Sequence, residues 1–214
     1  WCRWGGGVFS GVALGSAGVL SVASGEELLQ LRGHEGGVLS VSWSPSGDRL
    51  ASGGADGLVR VWSSASGEEL LQLRGHEGGV LSVSWSPSGD HLASGGWDGT
   101  VRLWSGSNGG ELACLRAPGG TVRSVTFSPD NRHIAAGRQD GTITIWEVET
   151  GEHVATLAGF EEGWVAFKPD GRFKLGGDVG NNFWHTVGLV RFAPGELDPY
   201  LPKPLRMADD EPLF

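Results

Sequence analysis

With 214 residues, 39 % hydrophobic content and ten Trp, the chain can bury a sizeable core and stands outside the disordered class, which is poor in aromatics. A formal net charge of −9 sets a nucleic-acid role aside, because phosphate binding begins with Lys and Arg. Cys2 and Cys114 are too few and too far apart for a disulfide framework, which suits a reducing, cytoplasmic compartment, and 38 Gly point to tight turns between short strands.

Residues 1–23 hold the most apolar, uncharged stretch, VFSGVALGSAGVLSVA at 8–23. It is too short to span a bilayer and is interrupted by glycines, so it predicts a pair of strands and no membrane contact. The string 24–48, SGEELLQLRGHEGGVLSVSWSPSGD, then recurs letter for letter at 66–90, 25 positions displaced by 42. A period of this size predicts one supersecondary unit stacked on the next. Within a copy, Val38, Ser40 and Ser42 alternate with Leu39, Val41 and Trp43 and end in the turn Pro-Ser-Gly-Asp. A second strand, RLASGG, runs into the tight turn Ala55-Asp56-Gly57, and LVRVWS and the Leu70–Leu73 segment complete four. No helical stripe is present, so the chain reads as all-β.

Units of inner strands begin near Val38, Val80 and Val122, with a worn copy before them in which Trp4 stands for Trp43. A divergent one follows, in which FKPDG at 167–171 stands for FSPDN. About five four-stranded units result, at about 1–35, 36–77, 78–119, 120–160 and 161–193, followed by a tail over 194–214 with a strand near Tyr200–Leu205. Trp1 is read as entering a longer chain part-way through the fold.

The pairs Gly33-His34 and Gly75-His76, the turn residues Asp56 and Asp98, and Trp62 and Trp104 at the end of the third strand recur at this period. On these residues the chain resembles the WD-repeat β-propellers. Asp140 and Trp146 keep the pattern in the third complete copy, but Ala117-Pro118 replaces Gly-His, and the closing Asp is Ser63, Ser105 or Glu147. The resemblance implies a ring of blades, commonly seven, so five could close with the tail or belong to a larger ring. It also implies hydrogen-bonded networks of His34, Ser52, Asp56 and Trp62, and of His76, Ser94, Asp98 and Trp104. Here Asp holds the turn, His donates to it, and Ser links His to the indole N–H. A Ser-His-Asp hydrolase site is the competing reading, but a single active site needs no periodic copies with a Trp.

What the resemblance implies about function is a non-catalytic interaction scaffold for a protein or peptide, with no cofactor and no metal. The partner-contacting positions carried over from the family are Leu39, Leu81 and Arg123 on the innermost strands, and Ala55, Trp97 and Gln139 before the turn Asp. Trp97 is the sharpest of these, because it replaces Ala55 between near-identical copies. The acidic starts of the outer strand, Glu26-Glu27 and Glu68-Glu69, are expected to discourage edge pairing. Two further expectations come from the end of the chain and from the duplication. DGRFKLGGD and FWHTVGLVRF resemble the C-terminal end of WD-repeat regions in large bacterial proteins, which implies a sensor behind an NTPase or protease domain. Duplicated units also suit a multivalent lectin-like binder.

Overall fold

The computed structural model describes residues 6–10, 16–21, 27–178, 185–187, 190–192, 205–208 and 210–212. Trp4, Trp184, Asp209 and most of the predicted 200–205 strand lie outside them. The described residues form only β-strands, turns and loops. The first sheet has three antiparallel strands, β1 (Gly6–Ser10), β2 (Ser16–Ser21) and β3 (Glu27–Arg32). The second is β4 (Val38–Trp43), β5 (Arg49–Gly54), β6 (Val59–Ser63) and β7 (Glu69–Leu73), in sequential order. The third repeats it with β8 (Val80–Trp85), β9 (His91–Gly96), β10 (Thr100–Ser105) and β11 (Glu111–Arg116). This is the all-β architecture of a WD-repeat propeller.

The turn from the first to the second strand of each sheet needs a left-handed residue. Gly47 and Gly89 supply it at φ 76° and 80°, and Asn131 takes the same repeat position at φ 62°. Asn is the side chain that best tolerates that region, so the turn survives the change.

Burial comes from sheets stacked face to face. One cluster joins Val19 and Leu31 of the first sheet to Val38, Leu50 and Trp62 of the second. Another joins Val59, Val61 and Leu73 to Val80, Trp85 and Leu92, and a third joins Val101 and Leu103 to Val122, Phe127 and Ile134. Each sheet therefore buries its faces only against its neighbours, as stacked repeats do. Hydroxyls link the innermost strands: Ser40 and Ser42 accept the Val83 and Trp85 amides at 3.1 and 3.2 Å, and Ser82 accepts the Val125 amide at 3.0 Å. These amides lie outside the sheet ladders, and the serines satisfy them where the strand edge would otherwise be bare.

The fourth sheet departs from the predicted organisation. β12 (Val122–Phe127), β13 (His133–Arg138), β14 (Thr142–Glu147) and β15 (His153–Gly159) repeat the pattern, but β16 (Glu162–Phe167) and β17 (Phe173–Asp178) add to the same sheet beyond β15. Residues 161–178, expected to open a further unit, thus extend the preceding sheet. Chain length explains it. Six residues separate β7 from β8, enough to cross to the next sheet, whereas only Phe160 and Glu161 separate β15 from β16. Two residues close a hairpin, and the Phe160 amide bonds the Gly163 carbonyl at 2.7 Å. A separate hairpin pairs β18 (His185–Val187) with β19 (Val190–Phe192). In the tail, the Leu205 carbonyl accepts the Phe173 amide and Met207 donates to the Phe173 carbonyl, both at 2.8 Å, so the segment lies parallel to the start of β17.

Candidate functional site

Each complete sheet has two edges. The top edge carries the turns after β5, β9 and β13 and the loops entering β4, β8 and β12. The bottom edge carries the turns after β4, β8 and β12.

At the top of the second sheet, Trp62 Nε1 donates to Ser52 Oγ at 2.8 Å. Ser52 Oγ lies 2.8 Å from His34 Nε2, and His34 Nδ1 lies 2.9 Å from Asp56 Oδ1. The third sheet repeats these contacts with Trp104, Ser94, His76 and Asp98 at 2.9, 2.8 and 3.0 Å. Direction follows by elimination. The carboxylate can only accept, so Nδ1–H donates to it, and in the neutral ring this leaves Nε2 to accept from the Ser hydroxyl while the indole donates to the Ser oxygen. Ser52 and Ser94 have no exposed surface, and both ring nitrogens of each His are engaged. A nucleophile cannot be reached there, so the arrangement serves structure.

Burial works to raise the Asp98 carboxyl, but the Thr100 and Glu77 amides and His76 outweigh it and hold it below its ordinary value. Burial also lowers His76, against the pull of Asp98, so the ring is neutral beside an ionised carboxylate. Asp56 follows the same logic: burial raises it, and the bonds from His34 and the Glu35 amide win.

The structure adds members that sequence reasoning missed. Buried Arg60 and Arg102 pair with Glu69 and Glu111, the latter at 2.7 Å. Glu69 therefore binds a guanidinium, a contact beyond the edge-guarding role expected of it. Thr100, which replaces Leu58, is fully buried and donates to Asp98 at 2.9 Å. A Cβ on Gly75 would sit 2.7 Å from Arg102, which accounts for Gly before His.

The fourth sheet fills this space differently. At the positions of His76, Ser94, Gly96, Arg102 and Glu111 it carries Pro118, Ala136, Arg138, Thr144 and His153. The Arg138 side chain takes over. Its Nε donates to Thr144 at 2.8 Å, Nη1 donates to the Gly120 carbonyl at 3.1 Å, and its guanidinium lies 5.6 Å over the Trp146 ring. Asp140 keeps its turn, accepting the Thr142 amide at 3.0 Å, but is exposed. Ala117 is permitted here because no Arg stands at 144. The legible signal was Arg138 in place of Gly, read together with Pro118.

Leu39, Leu81 and Arg123 share one device. The pairing skips each of them, Val38 facing Gly54 and Ser40 facing Gly53 in the first case, so each sits at a bulge that re-aims its side chain at the top edge. Arg123 is exposed, and the two leucines are half-buried. The exposed leucines Leu28, Leu70 and Leu112 are skipped in the same way on the outer strands. Ala55, Trp97 and Gln139 are all exposed in their turns. Trp97 is 54 % exposed, and its ring carbons lie 3.2 and 3.3 Å from where a Gly79 Cβ would stand. Gly79 in turn approaches the Ala55 Cα, so the ring rests on a glycine bed that reaches the neighbouring sheet.

Clefts open elsewhere, on the bottom edge. They measure about 410, 600 and 440 Å³ and are lined successively by Arg49, His91 and His133, which share one repeat position. Among the described residues no group of three or more His, Cys, Asp or Glu gathers to hold a metal, and no helix is long and apolar enough to cross a membrane.

No curated protein matches the chain. The family described as WD domain, G-beta repeat matches three times, over residues 25–63, 67–105 and 109–147, which is more than half of the sequence. Each match begins two residues before an outer strand, β3, β7 or β11, and ends with the third strand of the next sheet, so one repeat of sequence ties two sheets together. With the duplicated His-Ser-Asp-Trp networks at their expected places in two of the three matches, the chain belongs to the WD-domain, G-beta repeat family.

Proposed function

We propose that the chain is a non-catalytic scaffold that seats a protein or peptide partner on its top edge, with Trp97 as the anchor. WD repeats generally mediate protein–protein assembly, and the exposure of Trp97 carries the reading to a particular place. A large aromatic stands 54 % exposed where the sister copy has Ala55. The glycine bed beneath it limits the ring's freedom before any partner arrives, so less entropy is lost on binding. Trp and Arg are enriched among residues that dominate interface energies, and Arg123 is exposed on the same edge. The buried, fully engaged serines and histidines support the absence of catalysis. Cys114 is an exposed free thiol, which suits a reducing, cytoplasmic setting.

Peptides selected from a random phage library on the intact chain test this. Their affinity should fall by about tenfold or more in Trp97→Ala, the loss expected of a central aromatic. Selected peptides that bind Trp97→Ala as tightly as the parent would remove Trp97 from the site.

A further inference from the structure

Trp97 stands between two loops of the same composition. Its ring meets the glycine bed at one edge, Cε3 and Cζ3, and the Ala55 Cα lies 3.4 Å from the same Gly79 point. The ring therefore reaches from the third sheet toward the second, and more than half of the residue is open to solvent. The loop beneath it is Glu77-Gly78-Gly79, and the loop beside Ala55 is Glu35-Gly36-Gly37. Each loop is fixed at its acidic residue: the Glu35 amide donates to Asp56 and the Glu77 amide to Asp98, both at 3.0 Å. The backbones are thus held, while both glutamates are exposed and their carboxylates bond to nothing among the described residues.

The neighbouring cations are turned away or engaged. Arg32 and Arg74, at the upper ends of β3 and β7, fold back along their strands to donate to Gln30 and Gln72 at 2.6 and 2.7 Å. Arg60 and Arg102 are buried and paired with Glu69 and Glu111. Arg123 belongs to the fourth sheet, which lies across the third from Ala55. Carboxylates therefore set the potential around the exposed ring. An acidic partner is repelled there, and a purely apolar one leaves both glutamates unanswered. A cation is drawn by the ring quadrupole and by the two carboxylates together.

We propose that the partner is a basic peptide segment, with a Lys or Arg side chain laid against the Trp97 indole and its charge held by Glu77 and Glu35; this rests on the Trp97 reading above. The third sheet alone combines these parts. The second has Glu35 but Ala55 in place of the indole. The fourth has Gln139 for Trp97, Gly119 for Glu77 and Thr121 for Gly79.

Peptides selected from a random phage library on the intact chain, then measured singly by fluorescence anisotropy, test it. They should be enriched in Lys and Arg over the unselected library, and their affinity should fall as NaCl is raised from about 0.05 to about 0.5 M. Glu77→Gln should weaken binding by about threefold, and Glu77→Gln combined with Glu35→Gln by about tenfold. Neither carboxylate holds the fold, so the melts of these variants should match the parent's. Glu149→Gln, on the bottom edge, should leave affinity unchanged. Peptides that need Trp97 but show no basic enrichment, or that bind the double variant as tightly as the parent, overturn the charge assignment and leave the anchor standing. Peptides indifferent to Trp97→Ala, or a library that yields no binder, remove both.

Discussion

His76 shows how a single ring couples the fold to pH. In the unfolded chain it holds a proton up to its ordinary value of 6.5, and burial in the folded state depresses that value. The unfolded state therefore binds more protons as pH falls below 6.5, and stability falls with it. Asp56 and Asp98, held below 3.8 in the fold, add a second loss as pH drops through that range. Thermal melts of the parent chain should move down between about pH 7 and about pH 5. His76→Ala should be less stable by about 1–3 kcal/mol at neutral pH, since Ser94 and Asp98 lose a partner, and its melt should depend less on pH across the same interval. A variant that keeps the parent's full pH dependence would show that another group carries it.

Strands in this molecule are joined by side chains where ladders stop. Ser82 Oγ accepts the Val125 amide at 3.0 Å, whereas the Ser84 hydroxyl has only a 3.5 Å contact within its own strand. Ser82→Ala should lower stability to urea by about 1 kcal/mol or more and speed exchange of the Val125 amide, and Ser84→Ala should do neither. Equal effects of the two would deny the bridge its role. The four-stranded units themselves were readable in the sequence, because alternation, Ser-Pro-Ser-Gly-Asp turns and Asp-Gly turns are local signals. The merging of β16 and β17 into the fourth sheet was not, because FKPDG still resembles the copies it follows and the deciding difference is loop length. The bulges at Leu39, Leu81 and Arg123 were also hidden, since register is a property of two strands.

Taken whole, the chain keeps its two edges for different chemistry: exposed Trp97 with Arg123 at the top, and polar clefts at the bottom that change from Arg49 to His91 to His133. Among the top candidates Trp97 was legible because it replaces Ala55 between near-identical copies, and the others were carried over from the family resemblance. The clefts were not legible, since each is walled by residues from segments far apart in the sequence. The net charge of −9 predicts that a DNA duplex will keep its gel mobility in the presence of the chain at about 0.15 M salt, and a retarded band would contradict it. The two ways of filling the network space carry a last consequence, for inheritance. A Cβ at Gly54 would collide with the His34 imidazole, so His in the loop and Arg at the Gly position exclude each other. Unequal recombination between the identical strings at 24–48 and 66–90 adds or removes one 42-residue unit and leaves every network whole. A crossover joining the His76 loop to the Arg138 strand puts imidazole and guanidinium in one volume. The chain can lengthen or shorten through its first two copies, while the third acts as a barrier to such exchange.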